Sequence, residues 1–296
     1  MTPSTAPLQN HPWDKAAEGW SRHSSLVNSW LHDVTGAMLS SAGIAKGGRV
    51  LDVAAGAGGQ TIDIARRVVP GGAVLATDIS PRILGLASEN AAAAGLTNVT
   101  TQIADAQSLG LAGAGFDAAV SRLGLMFCQQ PLLALQQMAA ALRPGGRLAV
   151  VVFSQPQTNP CVAILMTTAL RHAGRTATSP FDPGTLFSLG KPGVLAGLLE
   201  TAGFLDIQVE PFAAPMHLPS GRHYLDFIRS SGSPIMEILA SLSAQAQNEA
   251  WTDMEEQLKR FTTADGWCGP NELLLGSGRL QAHLPDLSAG GATSPG

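Results

Sequence analysis

The chain has 296 residues, 45% hydrophobic and 14% charged, with a formal net charge of −4. That is long enough to bury a core without staples and too apolar for a disordered protein. The mildly acidic balance gives no sign of a nucleic-acid surface. Cys128, Cys161 and Cys268 lie far apart and make no metal-ligand spacing, so reduced structural thiols and no metal are expected.

The leader, MTPSTAPLQNHPWDKAAEGW, lacks a basic segment followed by an apolar one. No later apolar run approaches the roughly 18 residues of a membrane span. A cytoplasmic location away from membranes is therefore expected, and the low charge fraction suits either a large core or a homodimer face. Next, Leu26, Val27, Trp30, Leu31, Val34, Ala37 and Met38 recur at helical spacing and predict an amphipathic helix ending before Gly43. RVLDVAA, from Arg49, is a continuous apolar run with one acid, as expected of a central parallel strand. Thr61 to Val69 reads as a helix and GGAVLATD as the next strand. Ser80 and Pro81 supply an N-cap and a first helical residue, with Gly95 as the C-terminal stop.

NVTTQIAD and FDAAVSRLGLMF are further strands, and Leu132, Leu135, Met138, Ala139 and Leu142 mark a helix before the strand GRLAVVVF. Strands and helices alternate from residue 49 to 153, which predicts a doubly wound parallel α/β sheet. Beyond Phe153 come a helix in NPCVAILMTTALRHAG, a Pro/Gly/Ser-rich loop over 176–190, the helix KPGVLAGLLETAG and the strand LDIQVEPF. Residues 219–265 pattern as mostly helical before a last strand in NELLLGSGRLQAHL. An insertion before the final strand, placed to cover a pocket, is expected, and the terminal SAGGATSPG should be disordered.

Ligands of open α/β sheets bind beyond the carboxyl ends of the strands, where strand order reverses. There VLDVAAGAGGQT places Gly56 and Gly58 among alanines, so backbone is open to close approach by a ligand. Asp78 ends the second strand, 22 residues beyond Gly56. That is close to the roughly 20-residue offset at which an acid meets a ribose hydroxyl pair. A nucleoside is implied. Thr61 in place of the third glycine of GxGxxG leans against a dinucleotide without deciding the matter.

Taken in order, VLDVAAGAG, ATDIS, IADAQSL, FDAAVSRLGLMF and LRPGGRLAVVVF resemble the class I S-adenosylmethionine-dependent methyltransferases. The resemblance is nearest to the ubiquinone/menaquinone-biosynthesis type of small-molecule methyltransferase and covers about residues 13 to 153. It implies a Rossmann-like, doubly wound, mostly parallel seven-stranded sheet whose last strand is antiparallel, with N-terminal helices and a helical substrate cover. The parts would be a helical segment over 1–45 closing on the cofactor, a core over 46–218, a lid over 219–266, a final core strand over 267–285 and a tail over 286–296.

The family's first motif, acid-x-Gly-x-Gly-x-Gly, is met by Asp52, Gly56 and Gly58, with Ala54 in place of the first glycine. By resemblance, the backbone from Ala54 to Gly58 lies against the methionine part of S-adenosylmethionine, and Asp52 helps to position its amino group, directly or through water. Asp78 would hold the ribose hydroxyls and Ile79 the adenine face. Asp105 and the Ala106 N–H would read the adenine edge, and the Ser121 backbone would reach the methionine end. Trp20, in WDKAAEGW, would close over the cofactor, where an aromatic face also suits a sulfonium.

LRPGG has a structural explanation, since Pro144 and Gly145 suit a type II turn, and Asp117 reads as a structural acid. Arg122 either faces the substrate or pairs with an acid. No histidine belongs to a motif; His23, His217 and His223 are the candidates for a base because of their positions beside the closing segment and the insertion. The cover segments 158–190 and 219–266 are apolar and poor in basic residues, which favours a small organic acceptor such as a quinone precursor or secondary metabolite. The expected reaction is in-line O- or C-methylation yielding S-adenosylhomocysteine. An NAD(P)-dependent oxidoreductase and a non-catalytic S-adenosylmethionine-binding regulator are the rival readings.

Overall fold

The computed structural model describes residues 12–176, 179–231 and 234–282, so the tail over 286–296 lies outside it. Helices α1 (Pro12–Arg22), α2 (Ser24–Trp30) and α3 (His32–Ser41) precede β1 (Arg49–Val53). The alternation follows as α4 (Gly59–Val68), β2 (Ala73–Asp78), α5 (Pro81–Ala93), β3 (Val99–Ile103), β4 (Phe116–Arg122), α6 (Pro131–Ala141) and β5 (Leu142–Phe153). Helices α7 (Pro160–His172) and α8 (Val194–Thr201) lead to β6 (Phe204–Ala213). Then come β7 (Met216–Leu218), α9 (Gly221–Ser230), α10 (Pro234–Leu239), α11 (Ala244–Leu258), β8 (Thr262–Thr263), β9 (Gly266–Gly269) and the long β10 (Glu272–Leu280).

Seven strands form one sheet in the order β3-β2-β1-β4-β5-β10-β6. The first five pair in parallel, and β10 runs antiparallel to both β5 and β6. This is the expected Rossmann-like sheet. Its centre is apolar on both faces because helices cover both: Val50, Leu51, Val120, Leu148 and Val150 are each fully buried. Burying such a side chain contributes roughly 1.5–3 kcal/mol. From β1 the chain winds outward through β2 and β3, then returns to the other side of β1 for β4 and β5. The order reverses between β1 and β4, and the loops at that edge diverge and leave a crevice.

Local chemistry accounts for the element ends. The Ser80 hydroxyl accepts from the Ile83 N–H at 3.1 Å and caps α5, with Pro81 as its first residue. The turn in LRPGG, with Gly145 at φ +76, lies inside β5, where the register jumps from Phe116↔Leu142 to Ala118↔Arg147. Asp117 is structural, accepting from the Arg49 N–H at 2.8 Å and Arg143 Nε at 2.6 Å.

Two expectations need correcting. The single helix expected through Trp30 and Val34 is bent at Leu31 into α2 and α3. The Leu31 carbonyl accepts both the Thr35 N–H at 2.9 Å and the Thr35 hydroxyl at 2.6 Å, and such a back-bond bends helices. Within 219–265 the helices α9, α10 and α11 dominate, as expected, but β7, β9 and β8 form a small antiparallel sheet that joins the insertion's two ends, with His217 opposite Cys268 and Thr262 opposite Trp267. The limits expected at 218 and 267 therefore fall inside one paired unit. No helix among the described residues is long and apolar enough to cross a membrane.

Candidate active site

A cavity of about 870 Å³ opens at the reversal point, floored by the ends of β1, β2 and β4 and roofed by α1, α7, α9 and the loop around Thr185. The turn after β1 holds three residues in left-handed backbone: Ala54 at φ +57, Gly56 at φ +59 and Gly58 at φ +86. Ala54 thus adopts the conformation of the glycine it replaces, at a cost of roughly 1–2 kcal/mol. Its methyl group lies where a Cβ on Gly124 would be, so Gly124 makes the room that Ala54 uses. Gly58 is constrained by packing as well, because a Cβ there would lie 3.0 Å from both Cα and Cβ of Ala87 on α5.

Asp78 reaches from the end of β2 into this turn. Its Oδ2 accepts from the Gly56 N–H at 3.0 Å and its Oδ1 from the Ser80 N–H at 2.9 Å. The carboxylate therefore shapes the glycine turn and also lines the cavity. Beyond β3, Asp105 Oδ1 accepts from the Gln107 N–H at 2.9 Å, and Gln107 Oε1 accepts from the Gln130 N–H at 2.8 Å, which fixes that loop. Trp20, Ala54, Gly56, Asp78, Ile79, Asp105, Ala106 and Ser121 thus all border one cavity. The Ser121 hydroxyl and the Trp20 indole N–H are buried without a hydrogen-bond partner among the described residues. Buried polar groups are normally paired, so both call for a ligand atom or water.

Asp52 and Gly58 do not border the cavity. Asp52 is wholly buried behind the turn; its Oδ1 accepts from Gln60 Nε2 at 3.1 Å and its Oδ2 from Thr61 Oγ1 at 2.6 Å. Burial pushes its carboxyl up to about 6, against the pull of these two bonds and of Arg122. Asp52 therefore reaches the cavity through Gln60, which does line it. The threonine in the third-glycine position is explained by the same bond.

The three histidines do not border the cavity either. His23 packs edge-on against the outer side of Phe227 at 5.4 Å, and burial, followed by the charge of Arg22, lowers its pKa. His217 is exposed on β7, and His223 is exposed with Nδ1 2.9 Å from the Ser220 hydroxyl. Positions near the insertion in sequence were a poor guide because β7 and the start of α9 turn these side chains outward. Among the described residues, the titratable groups bordering the cavity are Asp78, Asp105, Arg122, Cys128 and Tyr224. Burial pushes the Cys128 thiol up to about 12 and the Tyr224 phenol well above its usual range. Among the described residues no group of three or more His, Cys, Asp or Glu could hold a metal ion.

Helix α1 closes the cavity from above. Asp14 accepts from the Ser80 hydroxyl, and Glu18 pairs with Arg82 on α5. Gly19 lies so close to the Ser230 carbonyl on α9 that no side chain fits between them. Trp13 meets Phe127 edge-on at 5.0 Å, and Trp20 meets Phe227 at 5.7 Å. The same cavity is also lined by Trp30, Phe153, Met166, Met216, Tyr224 and Phe227. Of these, Tyr224 and Phe227 stand one turn apart on α9, a spacing visible in the sequence but shared with any amphipathic helix.

Comparison with known proteins agrees with this geometry. A family model described as a methyltransferase domain matches residues 50–146. A ubiquinone/menaquinone biosynthesis C-methyltransferase from Syntrophotalea carbinolica is 32% identical over 173 residues, 56% of this chain and 72% of that protein. The YcgJ protein of Bacillus subtilis shares the fold with a TM-score of 0.58 at 18% identity, over 85% of this chain and all of that one. Haemonchus contortus phosphoethanolamine N-methyltransferase 2, solved with S-adenosyl-L-methionine, has a TM-score of 0.55 at 16% identity, over 93% of this chain and 60% of that one. With its glycine turn, its strand-end acids and these relatives, the chain belongs to the class I S-adenosylmethionine-dependent methyltransferases and is similar within them to the ubiquinone/menaquinone type.

Proposed function

We propose that this enzyme transfers a methyl group from S-adenosylmethionine to a small, mostly apolar organic molecule, a quinone precursor or a secondary metabolite, at oxygen or carbon. The observation that carries this reading is that one cavity is lined both by aromatic and methionine side chains and by the acidic, glycine-rich strand ends. The floor suits a nucleoside with an amino-acid arm. It offers backbone without side chains at Gly56, carboxylates at Asp78 and Asp105, and unpaired polar atoms on Ser121 and Trp20.

When bound, the cofactor supplies an electrophilic methyl group on sulfur. The chain's own contribution is placement. Asp78 would accept from the ribose hydroxyls while holding the Gly56 turn, and Asp105 and Ala106 would meet the adenine edge. Trp20 and Phe227 would shut water out above. Aligning two reactants contributes up to roughly 7–11 kcal/mol in favourable cases. Tyr224 and Cys128 stay protonated at neutral pH and so would orient an acceptor oxygen as donors, not remove its proton. The work would take place in the cytoplasm.

Calorimetric titration with S-adenosylmethionine, S-adenosylhomocysteine and NAD⁺ in parallel tests the reading. Micromolar binding of the two sulfur nucleosides and none of NAD⁺ is expected, and Asp78→Ala should weaken that binding at least tenfold with an unchanged circular dichroism spectrum. Binding of NAD⁺ alone would overturn the reading. Cofactor binding with no methylated product from a panel of phenols, hydroxyquinones and polyketides would favour a non-catalytic role.

A further inference from the structure

Two enclosed polar side chains outside the glycine turn and its acids border the cavity with an atom unpaired. Tyr224 on α9 is 3% exposed, Asn271 between β9 and β10 is 7% exposed, and both line the cavity. The Tyr224 hydroxyl makes no hydrogen bond among the described residues, and its stacking on Trp267 at 5.1 Å is a contact of the ring alone. Asn271 Nδ2 donates to the Gly269 carbonyl at 3.1 Å. That carbonyl can only accept, so the bond settles which end of the amide is nitrogen. It leaves Oδ1, an acceptor, without a partner among the described residues. A polar atom in so enclosed a residue is normally paired, and leaving it unpaired costs free energy.

The fold fixes both groups through one strand. β9 carries Trp267 and Gly269, two residues apart and therefore on one face. A Cβ on Gly269 would overlap the outer edge of the Trp267 ring, so the ring lies across this glycine. Trp267 is pinned by the bond from Nε1 to the Leu258 carbonyl at 2.9 Å, and Tyr224 stacks on its face. Gly269 in turn accepts from Asn271, whose own carbonyl accepts from the Ala214 N–H at 2.8 Å. The Ala214 carbonyl accepts from Trp30 Nε1 at 2.7 Å. Tyr224 and Asn271 are thus both anchored to β9, and Met216, paired with Gly269, adds an apolar side chain to the same cavity wall.

A donor and an acceptor set among apolar side chains describe their ligand. Tyr224 can meet any oxygen lone pair, whereas Asn271 Oδ1 needs a proton from the ligand and so gives an anion nothing. We infer that Tyr224 and Asn271 orient the methyl acceptor, and that this acceptor is an uncharged ring compound with a carbonyl, met by the Tyr224 hydroxyl, and a hydroxyl, donated to Asn271 Oδ1. The inference rests on the reading of the cavity as a methyl-acceptor site. Neither residue is among those assigned above to the cofactor, so the pair governs which acceptor fits.

The test is equilibrium dialysis of the full chain, with S-adenosylhomocysteine in excess, against tetralin, 1-tetralone and the 5-, 6- and 7-hydroxy-1-tetralones. At pH 6.5 all of these are un-ionised. They share one skeleton and carry no polar group, a carbonyl, or a carbonyl with a hydroxyl at three spacings. Tyr224→Phe should weaken 1-tetralone by about fivefold or more and tetralin by less than about twofold. Asn271→Leu should weaken the tightest hydroxytetralone by about fivefold or more and 1-tetralone by less than about twofold. These are the usual effects of leaving one neutral hydrogen bond unmade.

A merely structural role would weaken every probe alike. Equal losses across the probes, or a variant without its own selective loss, would overturn the inference while tetralin binding left the acceptor site standing. If the leucine variant does not fold, Tyr224→Phe decides alone, since it keeps the ring that stacks on Trp267. Failure of the wild type to bind any of the probes would instead remove the acceptor-site reading, and this inference with it.

Discussion

Asp52 makes a sharp prediction about pH. It is wholly buried, and its carboxyl titrates at about 6 against an ordinary value of 3.8 because desolvation outweighs the Thr61 and Gln60 bonds. The gap of about 2 pH units, at roughly 1.4 kcal/mol each, means that ionised Asp52 costs the folded state about 3 kcal/mol. Since the folded pKa is the higher one, the folded state holds the proton more tightly. This contribution is fully present below pH 3.8 and is lost as pH rises through about 6. Asp52→Asn does not titrate; it gives up one of the two accepted bonds, at a pH-independent cost of roughly 1 kcal/mol.

Urea unfolding of both proteins from pH 4.5 to 7.5 isolates the effect. The stability difference, wild type minus variant, should fall by about 2 kcal/mol across this range, most of it below pH 6.5. The same difference at both ends would refute the reasoning and would mean that water or Arg122 keeps Asp52 ionised throughout.

Two further outcomes are expected. Gly58→Ala forces a Cβ against Ala87 in left-handed backbone, and should lower the unfolding free energy by roughly 1–3 kcal/mol in urea melts; a loss below about 0.5 kcal/mol would mean that α5 yields easily. His23→Ala, His217→Ala and His223→Ala should each keep the turnover rate within about threefold once an acceptor is known, since none borders the cavity. A hundredfold loss in any of them would place the proton acceptor there.

The core was legible because its signals are local. Apolar runs such as RVLDV and LAVVVF, the Ser80-Pro81 helix start and the Gly95 stop each act within a few residues, and their alternation leaves few topologies. That Asp78, Asp105 and Ser121 border one cavity could be foreseen, since strand ends on one edge of a sheet converge whatever the loops do. What escaped depended on contacts across the chain. The strands β7, β8 and β9 are two to four residues long, too short for an alternating pattern to register. Arg122 could not be assigned without knowing that Thr35, 87 positions away, takes only one of its donors. Asp52 matched a motif acid, yet its partners Gln60 and Thr61 turn it away from the cavity, and Ala54 is explained only by Gly124, far along the chain.

Helix α1 is held on one side to α5, through Asp14 with Ser80 and Glu18 with Arg82, and on the other to α9, through Gly19 against Ser230 and Trp20 against Phe227. Through Trp13 and Trp20 it lines the same cavity as Asp78, Asp105 and Tyr224. The cover therefore depends on two neighbours at once, so loss of either set of contacts would open the cavity to solvent from that side.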